Sequence, residues 1–297
     1  MSKTTTSATL FNPELVKEMF NKVKGHSSLA KLSGASPMPF AGIDTFIFSM
    51  DGEASIVGEG GNKPAGEASF EPVTIKPIKF VYQHRLTDEF VHLSEEKQLP
   101  YLDAFSDGFA KKIARALDIA AIHGVNPYDG TESATVGNNC FDKAVTLKTA
   151  FTAQFADDSI DAAVALIQKE SGDVSGIAMS PAFGSALGSM KAPDSRLPIY
   201  PEFRFGANPA AFGGMASDVN NTVSFGDSAD MAIVGDFANA FKWGYSETIP
   251  LEIIEYGDPD GQGDLKRTNQ IVLRSEAYVG WGILDKKSFA LITKENE

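Results

Sequence analysis

The stretch Glu59-Gly60-Gly61-Asn62-Lys63-Pro64 decides the fold of this 297-residue chain, because it forms the glycine-rich tip of a long excursion. Residues 40–48 have an extended pattern before the tip, and residues 73–82 have the pattern of a returning strand. Both faces of an isolated two-stranded ribbon remain in water, which leaves the ribbon marginally stable alone. We therefore expect residues 59–64 to lie at an interface with a neighbouring subunit.

The returning strand changes its alternation at Pro77. Val73 and Ile75 lie on one face, whereas the apolar residues from Ile78 onward have the opposite parity. Proline has no N–H for a ladder hydrogen bond and is confined to edge strands, strand starts and bulges. The pattern predicts a single edge strand with a bulge at this point.

Residues 101–124 have the strongest helical pattern in the sequence. Apolar side chains recur every three or four positions, at Phe105, Phe109, Ile113, Leu117 and Ala120. We assign the charged residues between them to the opposite, polar side: Asp107, Lys111, Lys112, Arg115 and Asp118. Pro100 is expected to precede this helix and Gly124 to end it, which predicts a rod of roughly 35 Å at about 1.5 Å per residue.

The rest of the chain alternates short helices and strands. Helices are expected at residues 12–25, from Thr87 onward, at residues 159–168 and after the cap Ser180-Pro181. Strands are expected at residues 177–179, 223–225, 232–234, 251–256, 269–281 and 289–293. This mixture predicts an α+β fold.

The formal net charge of −13 argues against general affinity for nucleic acid, because nonspecific binding to phosphates needs a surplus of Lys and Arg. The first forty residues are basic, so this segment could dock on acidic neighbouring subunits or face DNA. The plain alternative is a solvated tail with no partner. The single cysteine, Cys140, excludes an internal disulfide. We find no signal peptide and no apolar run long enough for a membrane span, and we expect cytoplasmic synthesis without membrane contact.

Two groups of residues contain the residue types of metal sites. Asp258, Asp260, Gln262 and Gly263 begin like a calcium loop, but Asn269 stands where the loop requires a bidentate Glu. An ordinary solvated hairpin loop explains them better. The residues His84, His92 and Glu95 lack any zinc-binding spacing. We expect no metal ion and no cofactor.

Two further patterns contain residue types that are found in catalytic sites. Gly58, Gly60 and Gly61 lead to Lys63-Pro64, where a phosphate-binding loop requires Lys followed by Ser or Thr. Ser180 lacks the flanking glycines of a nucleophile elbow, and a role as helix cap explains it. The sequence therefore predicts that the protein is not an enzyme.

Three segments, in their order and spacing, resemble the major capsid proteins of tailed bacteriophages, the Hong Kong 97 type. They are the tip with its return strand at residues 70–82, the helix end Asp118-Ile119-Ala120-Ala121-Ile122-His123-Gly124, and the tail from Gly235-Asp236-Phe237 through Leu273-Arg274-Ser275-Glu276 to Ser288-Phe289-Ala290. The resemblance spans residues 40–293. It implies an α+β, Hong Kong 97-like fold with an N-terminal arm at residues 1–45, an extended β-hairpin loop at 46–82, a peripheral domain with a long spine helix at 83–144 and 251–297, and an axial domain at 145–250.

The same resemblance implies a shell protein. Subunits of such proteins form pentamers and hexamers that close into an icosahedral shell around double-stranded DNA, which is not recognised by sequence. The expected location is the virion, after assembly in the host cytoplasm. The expected partners are further copies of the chain, a portal, decoration proteins and a separate scaffolding protein. The arm of about forty residues is too short for a fused scaffold, so either the scaffold is separate or the chain is a processed form, and Met1 favours the separate scaffold.

Two alternatives remain beside this interpretation. A bacterial encapsulin uses the same fold for a nanocompartment, and the genes beside its gene would distinguish it, because a cargo enzyme would replace portal and terminase. A small-molecule enzyme would require a deep pocket with several perturbed titratable groups, and the sequence offers no such set.

The resemblance also implies a candidate covalent crosslink between subunits. Some members join a Lys of the extended loop to an Asn of a second subunit, with a Glu of a third as base. Lys63, Asn269 and Glu276 match those positions, with the same interval between Asn and Glu. Simpler roles exist for each: a solvated charge for Lys63, a strand-end cap for Asn269, and for Glu276 an ion pair with Arg274 or Arg267.

Overall fold

The computed structural model describes residues 26–51, 55–63, 65, 67–93, 95–245 and 251–294. These ranges contain helices and strands that form two main sheets and a two-stranded ribbon, which confirms the expected α+β class. The helix expected at residues 12–25 lies outside the described residues. The helices are α1 (Ser28–Leu32), α2 (Glu95–His123), α3 (Phe141–Ala144), α4 (Ala156–Lys169) and α5 (Pro181–Ser189). Short 3₁₀ helices lie at Asp88–His92, Ala153–Phe155, Pro201–Gly206 and Lys266–Thr268.

The first sheet is built around one long strand near the end of the chain. Its strands are β1 (Ala35–Pro37), β4 (Ile78–Thr87), β10 (Phe241–Tyr245), β11 (Leu251–Ile254) and β12 (Gln270–Ile283). The antiparallel partner β4 runs along one side of β12, whereas β10 and β11 pair in succession with its other side. The parallel strand β1 extends the sheet from β10.

The ribbon consists of β2 (Ile43–Asp51) and β3 (Glu67–Ile75), which pair in register with each other from Ile43↔Ile75 to Asp51↔Glu67. The expected single strand with a bulge at Pro77 is wrong. Lys76 and Pro77 separate β3 from β4, and the two strands belong to different sheets. Because proline lacks a backbone N–H, the position suits a break in the ladder, and the chain uses it to change partner.

The second sheet has six strands in the order β5-β13-β9-β6-β8-β7. They are β5 (Leu147–Ala150), β6 (Gly176–Met179), β7 (Ala211–Phe212), β8 (Met215–Val219), β9 (Asp230–Gly235) and β13 (Phe289–Thr293). Two strands do not follow the domain boundary that the sequence suggested at residue 250. Strand β10 precedes residue 250 but joins the first sheet, and β13 follows residue 250 but joins the second sheet.

Helix α2 is the expected spine, and it begins earlier than the sequence indicated. It contains 29 residues and includes Pro100, which was expected to precede it. Proline in the second turn removes one backbone hydrogen bond, a loss that a helix about 43 Å long tolerates near its end. Gly124 follows the last residue with φ of +70°, as expected for a helix stop.

Among the described residues, two large apolar cores lie on opposite faces of the second sheet, and a small third core is formed by Phe90, Leu102, Ile271 and Leu273. The apolar stripe of α2, including Phe109, Ile113 and Leu117, packs with Trp243 and Trp281 of the first sheet. Helices α4 and α5 cover the second sheet through Ile160, Ile167, Phe183 and Leu187. Each buried aromatic or aliphatic side chain of this kind contributes about 1.5–3 kcal/mol.

Three local expectations differ from the structure. The helix expected after Thr87 is only a 3₁₀ helix, and the Thr87 side chain makes no capping hydrogen bond. Residues 223 and 224 form a turn and residue 225 has no regular structure, so the expected strand is absent there, although Val223 is buried. Asp118, assigned to the polar side of the spine, is completely buried. In the part of the chain that the structure describes, no helix is both long enough and apolar enough to cross a membrane.

Candidate functional site

The ribbon tip lies away from the packed core. Residues 55–63 contain neither helix nor strand, and all of them are exposed. Ile56 is fully exposed and Val57 is 37% exposed, so two adjacent aliphatic side chains face solvent on this loop. Gly60 has φ of +78°, a left-handed turn that favours glycine. Of the six tip residues, Pro64 lies outside the described residues, and the other five are presented to solvent.

Asn269 and Glu276 lie at different points of the first sheet. Asn269 ends the 3₁₀ helix before β12 in a left-handed conformation, with φ 52° and ψ 50°. Six strand residues at about 3.3 Å each separate it from Glu276, so the two side chains are roughly 20 Å apart. One subunit therefore does not bring them into a single site, in keeping with the three-subunit arrangement that the resemblance implies.

The surroundings of Asn269 leave its side chain available. Its backbone carbonyl accepts a hydrogen bond of 3.0 Å from the Asp88 N–H, which fixes the backbone beside β4. Its side-chain amide makes no hydrogen bond with any residue that the structure describes. Asn269 is exposed, as is Lys63.

Glu276 is paired within its own sheet, with a partner different from those expected. Its Oε1 lies 2.7 Å from Lys79 Nζ on the neighbouring strand, and this hydrogen bond raises the pKa of Lys79. Arg274 is engaged elsewhere, donating to Gln83 Oε1 at 3.0 and 2.8 Å. The carboxylate of Glu276 is 20% exposed and lies on the outer face of the sheet.

The loop that began like a calcium site is held by an arginine. Arg85 of β4 donates to both carboxylate oxygens of Asp260, to Gln270 Oε1 at 2.9 Å and to the Gly263 carbonyl at 2.8 Å. Arg85 thereby holds the pKa of Asp260 at about 2. The guanidinium of Arg85, in bidentate contact with Asp260, supplies the positive charge that balances the aspartates of the loop. The loop is therefore fixed to β4 through this arginine.

The other sequence candidates have structural positions. Ser180 is buried and caps α5 by accepting a hydrogen bond of 3.2 Å from the Phe183 N–H, which confirms its expected role. His84 lies within β4 and His92 ends the 3₁₀ helix at Asp88–His92, and both side chains are exposed.

A buried junction that the sequence did not reveal ties the arm to the spine. Asp118 of α2 accepts hydrogen bonds from the Ser27 hydroxyl (2.5 Å), the Ser28 N–H (2.9 Å), the Leu29 N–H (3.2 Å) and the Thr222 hydroxyl (2.8 Å). Burial raises the pKa of Asp118 to about 6, although these hydrogen bonds oppose the rise. The carboxylate thus joins α1, α2 and the loop before β9.

A second carboxylate contacts both Ser28 at the start of α1 and Lys31 in its last turn. Asp218 of β8 accepts from the Ser28 hydroxyl at 2.6 Å and from Lys31 Nζ at 2.7 Å. Asn208 also donates to it, at 2.9 Å. The segment that leads out of the N-terminal arm is therefore fixed to both the spine and the second sheet.

Comparison with known proteins identifies the family. The phage capsid family model matches residues 8–294. A solved chain from Mycobacterium phage Ogopogo is 32% identical, covers 91% of this chain and 92% of its own, and superposes with a TM-score of 0.76. A chain from Gordonia phage Cozz is 24% identical, covers 93% of this chain and 86% of its own, and has a TM-score of 0.71.

A structure titled as the capsid of a native GTA particle shares the fold at 15% identity, with 91% and 90% of the two chains covered and a TM-score of 0.63. The comparison with curated proteins found no match. These structural matches confirm the expected Hong Kong 97-like fold. Because the family model spans nearly the whole chain and the Ogopogo phage chain is similar over most of it, this protein belongs to the phage capsid family, whose members are structural proteins of the bacteriophage virion.

Proposed function

We propose that the protein assembles as pentamers and hexamers into an icosahedral shell that encloses the double-stranded DNA of a tailed phage. The observation that carries the proposal is the ribbon β2–β3, whose strands pair only with each other among the described residues. A two-stranded ribbon with an exposed aliphatic tip gains stability when another subunit covers it. The proposed contact is formed by residues 59–64 together with the adjacent exposed residues Ile56 and Val57.

The charge of the chain fits a container for DNA. The net charge of −13 gives the subunit too few cations to neutralise phosphates, so the wall does not bind the duplex tightly. DNA can then enter and leave the shell without a strong attraction to its inner surface.

The two sheets provide the basis of the proposed domains. The peripheral domain comprises α2 and the first sheet, and the axial domain comprises α4, α5 and most of the second sheet. The arm at residues 1–45 and the extended loop at 46–82 precede them, with β4 contributing to the peripheral sheet. A scaffolding protein, a portal and decoration proteins are the proposed further partners, and the host cytoplasm is the proposed place of assembly.

Electron microscopy and sedimentation of the purified protein test the proposal. Wild-type protein is expected to give closed particles, whereas Ile56→Asp is expected to give folded subunits that assemble poorly, because a charge replaces the aliphatic tip. Ile56→Val is the matched control and should assemble as the wild type does. A stable wild-type monomer with no assembled species would contradict the proposed shell. Particles that hold a cargo enzyme in place of DNA would favour the encapsulin alternative.

Crosslinking through Lys63 is a finer proposal for the same shell. The neutral amine of Lys63 attacks the side-chain amide of Asn269 on a second subunit and forms an isopeptide bond. Glu276 of a third subunit takes the proton that the amine loses and passes it to the amide nitrogen, which leaves as ammonia. Denaturing gels of mature particles should show a ladder above the 31.8 kDa monomer, and Lys63→Ala should abolish it. Clean monomer from mature wild-type particles would eliminate the crosslink and leave the shell proposal intact.

A further inference from the structure

Three side chains that are far apart in the sequence meet where the spine helix reaches the second sheet. His123 is the last residue of α2, Asp142 lies in α3 and Asp230 begins β9. His123 Nδ1 lies 3.0 Å from Asp142 Oδ2 and 3.5 Å from Asp230 Oδ2. The side chains of His123 and Asp230 are only 5% and 6% exposed. No described contact of the arm, the ribbon or the tip involves this group.

The second ring nitrogen of His123 is fixed by a group outside the cluster. Nε2 lies 2.9 Å from the backbone carbonyl of Thr222. A carbonyl can only accept, so the Nε2–H donates. This hydrogen bond holds the ring with Nδ1 directed at the two carboxylates, which is the orientation that a backbone carbonyl gives to a metal-binding histidine.

Asp142 supplies a further observation. Its Oδ2 contacts His123, but its Oδ1 is buried and has no hydrogen-bond partner among the described residues. A buried carboxylate oxygen without a donor or a cation costs free energy. The imidazole alone therefore does not satisfy this carboxylate.

The spacing of the ligand atoms suits a small cation. Ligands about 2.0–2.1 Å from a tetrahedral zinc ion lie roughly 3.4 Å from one another. The distances of 3.0 and 3.5 Å from Nδ1 to the two carboxylates are close to this value, and one atom from each residue lies within 4.8 Å of the others. A cleft of about 970 Å³, lined also by Tyr128, Asp129 and Phe225, adjoins the group and gives water access to it.

We propose that His123, Asp142 and Asp230 form a binding site for a divalent transition-metal ion of the zinc type, with water from the cleft as the fourth ligand. Two carboxylates and a neutral imidazole balance the charge of a divalent ion. The ion would join the end of the spine helix and α3 to the first residue of β9, which strengthens the contact of these two helices with the second sheet. This site is independent of the proposed shell.

A proton competes with the metal for the same nitrogen. The metal replaces the proton on Nδ1, and that proton passes to solvent. Metal binding therefore tightens as the pH rises.

The test uses the full chain, freed of metal by dialysis against a chelator and then exposed to Zn²⁺ alone or Co²⁺ alone. We expect one equivalent of Zn²⁺ to remain bound per subunit after desalting, with a rise in the thermal unfolding midpoint. Co²⁺ should give the visible absorption of a four-coordinate site, and Zn²⁺ should displace it. Asp142→Asn and Asp230→Asn should each weaken binding at least tenfold.

Two controls separate this site from surface binding. Asp129→Asn changes an exposed acid in the same cleft, and His84→Gln changes an exposed histidine elsewhere, so neither should alter Zn²⁺ binding. The wild-type protein alone can overturn the proposal, since the absence of bound Zn²⁺ and of the Co²⁺ absorption excludes the site even if the aspartate variants do not fold. Binding that is unchanged in folded Asp142→Asn and Asp230→Asn proteins also overturns it.

Discussion

Replacing Ile113 with proline is expected to destabilise the subunit by at least 3 kcal/mol and to prevent particles from forming. Ile113 lies in the middle of α2 and is 3% exposed. Proline there removes the hydrogen bond to the Phe109 carbonyl and clashes with that carbonyl, at a cost of about 3 kcal/mol or more. The lost aliphatic side chain adds to this cost, because Ile113 belongs to the core shared with the first sheet.

Denaturant unfolding and electron microscopy measure the two effects of this substitution. Ile113→Val is the matched control, since it keeps the helix and removes one buried methyl group at a cost of about 0.5–1.5 kcal/mol. The control should still assemble. Normal particles from Ile113→Pro would show that α2 is not the structural spine of the subunit.

Asp118→Asn is expected to change how the stability of the subunit depends on pH. Burial raises the pKa of Asp118 from its ordinary value of 3.8 to about 6. Between these two values the folded protein keeps a proton that the unfolded chain has lost. The stability contributed by Asp118 is therefore fully present below pH 3.8 and is lost as the pH rises through 6. The neighbours Ser27, Ser28, Leu29 and Thr222 carry no charge, so the carboxyl group titrates without a paired ion.

The measurement compares unfolding free energies of the wild type and Asp118→Asn at pH 4 and pH 7. One pKa unit corresponds to about 1.4 kcal/mol, so the advantage of the wild type over the variant should fall by about 2–3 kcal/mol between these pH values. Asp161→Asn, at an exposed position on α4, should show no such change. A difference between wild type and Asp118→Asn that stays constant with pH would refute the assignment.

Local patterns predicted the elements whose signals lie within a few residues. The C-terminal end of α2 follows from its apolar spacing and from Gly124, and α5 follows from the Ser180 cap. The predicted start of α2 was wrong because proline usually precedes or interrupts a helix. Here the packing of the helix against the first sheet compensates for the one backbone hydrogen bond that Pro100 cannot make. The strand expected at residues 223–225 was wrong because a short apolar run indicates burial without indicating its backbone conformation.

Contacts between distant segments could not be predicted from one sequence. The break at Pro77 was visible as a change of parity, but the partner of β4 lies nearly two hundred residues later in β12. The charge of Asp118 indicated the polar side of the spine. Its burial could not be predicted, because the donors that surround it come from the distant residues 27–29 and 222. His123, Asp142 and Asp230 likewise have no common sequence motif. The irregular backbone of residues 59–63 was predicted because a cluster of glycines is a local signal for a loop.

The position of β13 has a consequence for the synthesis of the subunit. Residues 289–293 follow every other strand along the chain, yet β13 lies between β5 and β9 and pairs with both. While the ribosome is still making the preceding residues, β5 has no partner and one edge of β9 is open, so the second sheet stays incomplete. An interrupted chain cannot close that sheet and presents unpaired strand edges that favour aggregation and degradation. The order of the strands thus makes the synthesis of residues 289–293 a condition for closing the second sheet, and we expect products that stop before β13 to remain incompletely folded.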